Sequence, residues 1–365
     1  MTQRTTLAAR GCSIMSLAFT FALFACSDGG SNNSGEEING NSLLLNFTSD
    51  YTSGELRWMA LDSTSLSVGA LSFGQDSKVS ADGGNIFVLS SNPGALACIL
   101  PEKIGDKSSI KQNSLDAKFP YEAAVIGSKG YIALNDEDYV QVFNTSTCVP
   151  SGAINLPISG ANASSIKASG DTLFVVLQRL ENFSATKPGL LVRIKASEET
   201  VIDTVQLKFY NPSSSVLSKG KLYVSSQKYN EDFSIDLEKS GVEVVNLATG
   251  ISEVLATGTQ LGGGASGIAL DEASQILYVS VYEYFGSSPV KPVNLSSKSV
   301  GTVLPDIADS FGGLVFDDKG KKLFVGDVDV SSHGIKIYNP ATKSTTVANE
   351  GTDALPPYSL AIVRW

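Results

Sequence analysis

The chain has 365 residues and a net charge of −10; only 18% of its residues are charged, and 34 are glycine. An acidic chain without clustered lysine and arginine is a poor ligand for phosphate backbones, so nucleic acid is excluded as an expected partner. Sparse charge, frequent glycine and the lack of long helical patterns favour many short strands joined by turns.

Residues 1–25 have the form of an export signal. Residues 1–11 carry two arginines and no acid, and residues 12–25 form an apolar run of 14 residues. This run is too short to span a bilayer and is typical of the core of a signal peptide. It ends in LFAC, with Cys26 last, which resembles a bacterial lipobox apart from Phe24. The resemblance implies cleavage before Cys26 and lipidation of its sulfur with diacylglycerol, with acyl chains such as palmitate. The alternative is an ordinary secretory signal that is cut elsewhere.

Residues 26–40 follow as a lipidated, flexible tether. The segment SDGGSNNSGEEING contains no large apolar residue, and such glycine- and serine-rich linkers behave as flexible coils. Ser27, rather than aspartate, follows Cys26. In bacteria that sort lipoproteins by this residue, serine indicates the outer membrane, so we expect a lipid-anchored protein of the cell envelope.

A short apolar phrase with a central aromatic residue occurs six times. The phrases are NIFVL at 85–89, GYIAL at 130–134, TLFVV at 172–176, KLYVS at 221–225, ILYVS at 276–280 and KLFVG at 322–326. Their aromatic residues are separated by 44, 43, 49, 55 and 46 residues. A repeat of this length in an all-β pattern predicts a β-propeller, in which each phrase is the second strand of a blade.

The two ends of the repeat region complement each other. Residues 41–73 contain second, third and fourth strands of a blade but no first strand, and PYSLAIVRW at 357–365 supplies a first strand alone. Leu44 lies 43 residues before Phe87 and is therefore in phase with the repeats. Residues 41–365 are thus predicted to form an all-β, seven-bladed β-propeller closed by N- and C-terminal strands that share one blade. The alternatives are six blades with an extra hairpin, and a β-sandwich.

The repeats resemble those of YVTN-type propellers, which are similar to quinoprotein-dehydrogenase-like and lactonase-like propellers. The resemblance rests on LYVSS at 222–226, LYVSV at 277–281 and the asparagine that ends the third strand in four repeats. Ser-Ser and Ser-Val stand where the family name implies Thr-Asn. The resemblance covers residues 41–365 and implies the fold. It also suggests an alternative activity, a lactonase-like hydrolase or carbohydrate-active enzyme with carboxylates near the central channel.

Residues suited to catalysis are sparse. His333 is the only histidine. The chain therefore cannot form a His-rich metal site, and any catalytic triad that contains histidine would have to use His333. It lies in a loop, either exposed or in polar contact with a ligand. Quinone-binding propellers carry repeated tryptophan motifs, whereas this chain has only Trp58 and Trp365. We therefore predict no cofactor and no metal site, and we assign no catalytic residue.

Two cysteines remain in the propeller region. Cys98 lies within the third strand of the second blade, and Cys148 follows the third strand of the third blade. An exported compartment permits disulfides, so a bridge between adjacent blades is possible. The expected state is two separate thiols, one of them buried.

The loops between second and third strands differ most in length. They span residues 178–189 in the fourth blade, 226–241 in the fifth and 282–289 in the sixth. Long loops on a rigid scaffold are where binding residues concentrate. With His333, the candidate ligand-binding residues are Arg179, Phe183, Tyr229, Phe233, Tyr282, Tyr284 and Phe285. The alternative is that these rings fold inward and pack their own loops.

These features predict a monomeric binding or scaffold protein of the cell envelope. It would be held at the membrane through lipid on Cys26 and would engage an envelope protein or a glycan through the long loops of one face. The enzymatic alternative rests on family resemblance alone.

Overall fold

Antiparallel sheets of three or four strands repeat along the chain and form the seven blades of a β-propeller, which confirms the predicted fold. The computed structural model describes residues 42–50, 53–67, 70–74, 76–117, 119–283, 287–348 and 355–365. The export signal, Cys26 and the tether lie outside these residues.

The strands of blades two and three run outward from the propeller axis in chain order, whereas blade one takes its innermost strand from the C-terminal end of the chain. Blade one contains β1 (Ser42–Ser49), β2 (Gly54–Ala60) and β3 (Leu71–Phe73). Blade two contains β4 (Ser77–Asp82), β5 (Asn85–Ser91), β6 (Gly94–Ile99) and β7 (Lys111–Ser114). Blade three contains β8 (Pro120–Ile126), β9 (Lys129–Leu134), β10 (Tyr139–Asn144) and β11 (Pro150–Asn155). Short 3₁₀ helices at Pro101–Lys103 and Lys107–Ser109 connect β6 to β7.

Blades four and five follow the same order, and blade four carries an extra hairpin in its long loop. Blade four contains β12 (Ala163–Ser169), β13 (Thr172–Leu177), β16 (Pro188–Lys195) and β17 (Thr200–Tyr210). Its extra hairpin pairs β14 (Leu180–Glu181) with β15 (Ser184–Ala185). Blade five contains β18 (Pro212–Ser218), β19 (Lys221–Ser226), β20 (Gly241–Asn246) and β21 (Ile251–Thr257), and the short helix α1 (Gly258–Leu261) follows it.

Blades six and seven complete the ring with the last strand of the chain. Blade six contains β22 (Gly264–Asp271), β23 (Ile276–Tyr282) and β24 (Val290–Asn294). Blade seven contains β25 (Leu314–Asp317), β26 (Lys322–Asp327), β27 (Gly334–Asn339) and β28 (Ser344–Val347), and a 3₁₀ helix at Ser310–Gly312 precedes it. β29 (Pro357–Arg364) is the innermost strand of blade one and pairs with β1, so that Ile362 lies opposite Leu44.

The repeated aromatic residues pack between blades. All six are buried, and Phe87 of blade two contacts Phe143 of blade three edge to face, with ring centroids 5.3 Å apart. The described core divides into seven apolar clusters, each shared by two neighbouring blades. Position 130 in the second phrase accepts only glycine, because a Cβ there would overlap the ring of Phe143. The phrases are therefore scaffold, since removing one buried ring costs about 3–5 kcal/mol.

A disulfide joins Cys98 to Cys148, so the expectation of two separate thiols is wrong. The Cα atoms are 5.8 Å apart, within the range that a disulfide spans. Cys148 adopts a left-handed backbone conformation with φ of 64° in the turn after β10, and this turn directs its side chain into the cluster between blades two and three. The bridge therefore links the outer halves of two neighbouring blades.

Candidate functional site

The loops between the second and third strands of the blades emerge on one face of the propeller. The pairing in blade two shows this, because Ser77 at the start of the inner strand lies opposite Ser90, just before the loop to β6. The loops that lead into the inner strands therefore open on the same side. We call this side the loop face and define it by the described residues 50, 53, 92–93, 135–138, 178–187, 227–240, 283, 287–289 and 328–333.

Phe183 lies at the tip of the hairpin of β14 and β15. Glu181 pairs with Ser184, so Asn182 and Phe183 form a two-residue turn, with φ of 50° and 64°. Positive φ at both central residues is the type I′ geometry, which favours glycine at the second position. Here that position holds a phenylalanine whose side chain is 99% exposed.

Phe233 occupies the equivalent conformation in the next blade. The backbone N–H of Asn230 donates to the carbonyl of Ser234 at 2.8 Å, and the N–H of Phe233 donates to the carbonyl of Asn230 at 3.0 Å. These bonds close a three-residue hairpin loop whose last residue, Phe233, has φ of 64°. Glycine is favoured at this position too. The ring of Phe233 is 83% exposed, so two unrelated hairpins present phenylalanine to solvent from a strained backbone.

Other predicted residues of the same loops serve the scaffold. Tyr229 and Tyr282 pack edge to face with ring centroids 5.8 Å apart. Burial, with a smaller contribution from Tyr282, raises the pKa of Tyr229 to about 12. The guanidinium of Arg179 donates through Nη1 to the carbonyl of Pro188 and to Oε1 of Gln206, both at 3.2 Å. The inward-packing alternative therefore describes the two tyrosines, and Arg179 braces its own loop.

The seventh blade adds a third exposed tip. Val330 is 96% exposed, and the turn around it is held by Asp329, whose Oδ1 accepts from the backbone N–H of Ser331 at 3.0 Å. His333 is half-buried at the end of the same loop. Tyr284 and Phe285, predicted in the sixth-blade loop, lie outside the described residues.

The charge of the loop face is acidic. Its seven loops contain eleven acidic and four basic residues in the sequence. In the loop of blade three, Asp136, Glu137 and Asp138 are consecutive; burial and the two neighbouring carboxylates raise the pKa of Glu137. A partner of this face must therefore tolerate or neutralise negative charge.

The inner strands enclose an axial channel with a volume of about 520 Å³. Strands β4, β8, β12, β18 and β29 supply most of its lining, with Val315 of β25. Serine is the most frequent polar residue of the lining. The ionisable residues that line it are Lys78, Asp82, Tyr121, Glu122 and Lys167.

Lys78 and Tyr121 lie beside each other near the loop-face end of this channel. The ammonium nitrogen of Lys78 is 3.5 Å from the centroid of the Tyr121 ring, a cation–π contact. The Lys78 side chain is half-buried and lines the channel. Poor solvation lowers the pKa of Lys78 to about 8, although attraction to Glu122 partly opposes this change. Burial raises the pKa of Tyr121, so its phenol is neutral.

Both carboxylates of the channel already have partners. Glu122 Oε2 accepts from the hydroxyl of Ser165 at 2.6 Å and from the backbone N–H of Ile166 at 2.9 Å, and Oε1 is ion-paired with Lys167. Asp82 accepts from two backbone N–H groups, its own neighbour Gly83 and Val125, at 2.9 and 2.7 Å. Glu122 therefore links β8 to β12, and Asp82 links β4 to β8.

The channel residues were not predicted, because the repeat alone does not place them. In the strand register, Lys78 of β4 lies opposite Leu89 and corresponds to Glu122 of β8, which lies opposite Ala133. Tyr121 falls at the register shift between Pro120 and Glu122, and the period of the phrases does not position such an extra residue.

Neither a metal-binding cluster nor a membrane-spanning helix occurs among the described residues. No three His, Cys, Asp or Glu side chains among them converge closely enough to hold a metal ion. No helix in that part of the chain is both long and apolar enough to cross a membrane.

Comparison with known proteins identifies the fold. No family model and no curated protein matches the chain. Among solved structures, a putative 6-phosphogluconolactonase from Bacteroides fragilis is 13% identical, with a TM-score of 0.62 over 90% of this chain and 99% of the other. A protein from Lactobacillus plantarum is 11% identical, with a TM-score of 0.63 over 89% and 99%. Kuenenia stuttgartiensis hydrazine synthase is 12% identical, with a TM-score of 0.60 over 90% and 100%. The TM-scores show a shared propeller fold, and at identities this low the similarity extends to the fold alone.

Proposed function

We propose that this protein is a lipid-anchored binding protein of the cell envelope that docks a protein partner on its loop face. The observation that carries the proposal is the pair of phenylalanines, Phe183 and Phe233, exposed at hairpin positions that favour glycine.

Neither phenylalanine is explained by folding. A side chain in the left-handed region costs roughly 1–2 kcal/mol relative to glycine, and a ring exposed to water recovers none of this by burial. Glycine or asparagine would form the same hairpins at lower cost. The rings therefore have their use in contact with another molecule, where buried aromatic side chains contribute much of the binding energy.

The geometry favours a protein over a glycan. Phe183 is almost fully exposed and sits on a hairpin tip, so it projects as a knob that can enter a pocket. Stacking on a sugar uses a supported ring face within a concave site. The acidic surplus of the loop face favours a basic partner surface and disfavours an anionic lipid surface.

The anchor follows from the sequence. Lipid on Cys26 and the tether of residues 27–40 would hold the propeller near the membrane while leaving the loop face free to turn. Mass spectrometry of the mature N-terminal peptide tests this, because a Cys26→Ser variant would lose both the lipid mass and membrane fractionation. An unmodified Cys26 would remove the anchor from the proposal.

The docking surface is tested with full-length bait in an envelope extract. Asparagine tolerates positive φ, so a Phe183→Asn/Phe233→Asn double variant removes the rings and keeps the turns. Val347→Asn is the matched control, because Val347 is an exposed apolar residue on the outer strand β28. We expect the wild type and the control to capture the same protein in a salt-sensitive manner, and the double variant to lose it.

Two outcomes would contradict the proposal. Capture that survives in the double variant would show that the rings do not contact the partner. Binding of an oligosaccharide that depends on the same rings would replace the protein partner with a glycan. The hydrolase alternative gains no specific support from the described channel, because its two carboxylates, Asp82 and Glu122, already hold structural partners.

A further inference from the structure

The axial channel contains an ammonium group without an oxygen partner. Within the described residues, Nζ of Lys78 makes no hydrogen bond and no ion pair, and its identified contact is the ring of Tyr121. An ammonium group has three N–H donors, and an aromatic face satisfies none of them as an oxygen would. Lys167, the other cation of the channel, is paired with Glu122.

The carboxylates of the channel do not pair with Lys78, although Glu122 attracts it. Glu122 is held by Lys167, Ser165 and the backbone of Ile166, and Asp82 is held by two backbone N–H groups. Leaving a cation unpaired in a poorly solvated place is costly. This arrangement is expected where a ligand completes the site, because binding sites retain costly polar groups that folding alone would not select.

The remaining lining suits a small polar molecule. The volume of about 520 Å³ falls within the range of small-molecule sites, roughly 300–1,000 Å³. Ser214 faces this space, and its hydroxyl makes no hydrogen bond within the part of the chain that is described. Other serines and residues such as Val216 and Leu360 complete the lining.

We propose that the axial channel binds a small oxyanion, a carboxylate or a phosphate, with the ammonium group of Lys78 as its principal partner and the hydroxyl of Ser214 as a second donor. The anion accepts from Nζ on the side away from Tyr121, and the aromatic ring supports the lysine from behind. This site is independent of the loop face, so either can fail without the other.

Calorimetric titration of the full-length protein in detergent tests the proposal. The probes are inorganic phosphate and malate, and erythritol serves as an uncharged molecule of malate's chain length. We expect phosphate or malate to bind and erythritol not to bind. Phosphate binding alone would identify a phosphate site, and malate binding alone would identify a carboxylate site.

Variants assign the binding to Lys78. Lys78→Gln should weaken it at least tenfold, Lys78→Arg should restore much of it, and Lys107→Gln, at an exposed lysine on a 3₁₀ helix, should leave it unchanged. Because the pKa of Lys78 is about 8, malate affinity should also fall about tenfold between pH 7 and pH 9, where malate itself keeps its charge. Absence of binding by both anions at about 10 mM, or binding that Lys78→Gln leaves unchanged, would overturn the proposal.

Discussion

Replacing Lys78 by methionine should stabilise the protein at neutral pH. Methionine keeps the length and apolar character of the lysine stem but removes the ammonium group from the channel. In the folded protein the charged form of Lys78 is disfavoured, because its pKa falls from the ordinary 10.5 to about 8. In the unfolded chain the same group is fully hydrated, so the variant loses a cost that the wild type carries only when folded.

The size and pH dependence of this effect follow from the two pKa values. Between pH 8 and pH 10.5 the unfolded chain binds more protons than the folded one, so wild-type stability rises with pH across that window. A pKa difference of about 2.5, at about 1.4 kcal/mol per pH unit, corresponds to about 3 kcal/mol at pH 7. At pH 10 most of this difference has disappeared, and about 1 kcal/mol remains.

Urea unfolding of both proteins at pH 7 and pH 10, in buffers without oxyanions, measures the effect. Lys78→Met should exceed the wild type by about 3 kcal/mol at the lower pH and by about 1 kcal/mol at the higher. A Lys107→Met variant at an exposed site should differ from the wild type by less than about 0.5 kcal/mol at both. An advantage of Lys78→Met that is equal at the two pH values would contradict this prediction, because it would then come from packing and not from the ammonium charge.

Three further changes test the scaffold and the loop face. Reducing the Cys98–Cys148 bridge, whose ends are 50 residues apart, should lower the free energy of unfolding by about 4 kcal/mol by the chain-entropy argument; urea midpoints with and without dithiothreitol measure it, and the Cys98→Ser/Cys148→Ser variant should not respond to the reductant. Phe183→Gly should raise the free energy of unfolding by about 1 kcal/mol by relieving its positive φ, whereas a lower melting temperature would mean that the ring packs in the native state. Glu243 is fully buried and accepts from the backbone N–H groups of Lys208 and Phe209, so Glu243→Ala should cost about 3 kcal/mol; Glu243→Gln should recover part of this, and equal losses would argue against the acceptor role.

The closed ring of seven blades could be predicted because its periodicity is encoded in residues that must be buried. Phe87 and its five counterparts lie between blades, where a polar residue would be costly, and their spacing therefore survives in the sequence. The same phase placed Leu44 on a strand without an inner neighbour, and this assigned the last strand to the first blade.

The candidate sites were less predictable because they depend on local geometry. The turn at Asn182 and Phe183 lacks the glycine that normally marks a type I′ hairpin, so the sequence could not show whether the ring turns in or out. The bridge between Cys98 and Cys148 depends on the strand register across two blades. In the sequence, Lys78 is one polar residue of an inner strand. Its contact with the ring of Tyr121, without an oxygen partner, is seen only in the folded structure.

The shared first blade imposes an order on assembly. β29 is the innermost strand of that blade, and it follows the strands of the six other blades in the sequence. Until β29 pairs with it, the edge of β1 is unpaired, and it can accept a matching strand from any copy of the protein. A chain truncated before residue 357 lacks β29 and leaves the edge of β1 open, so it should associate with other copies through that edge.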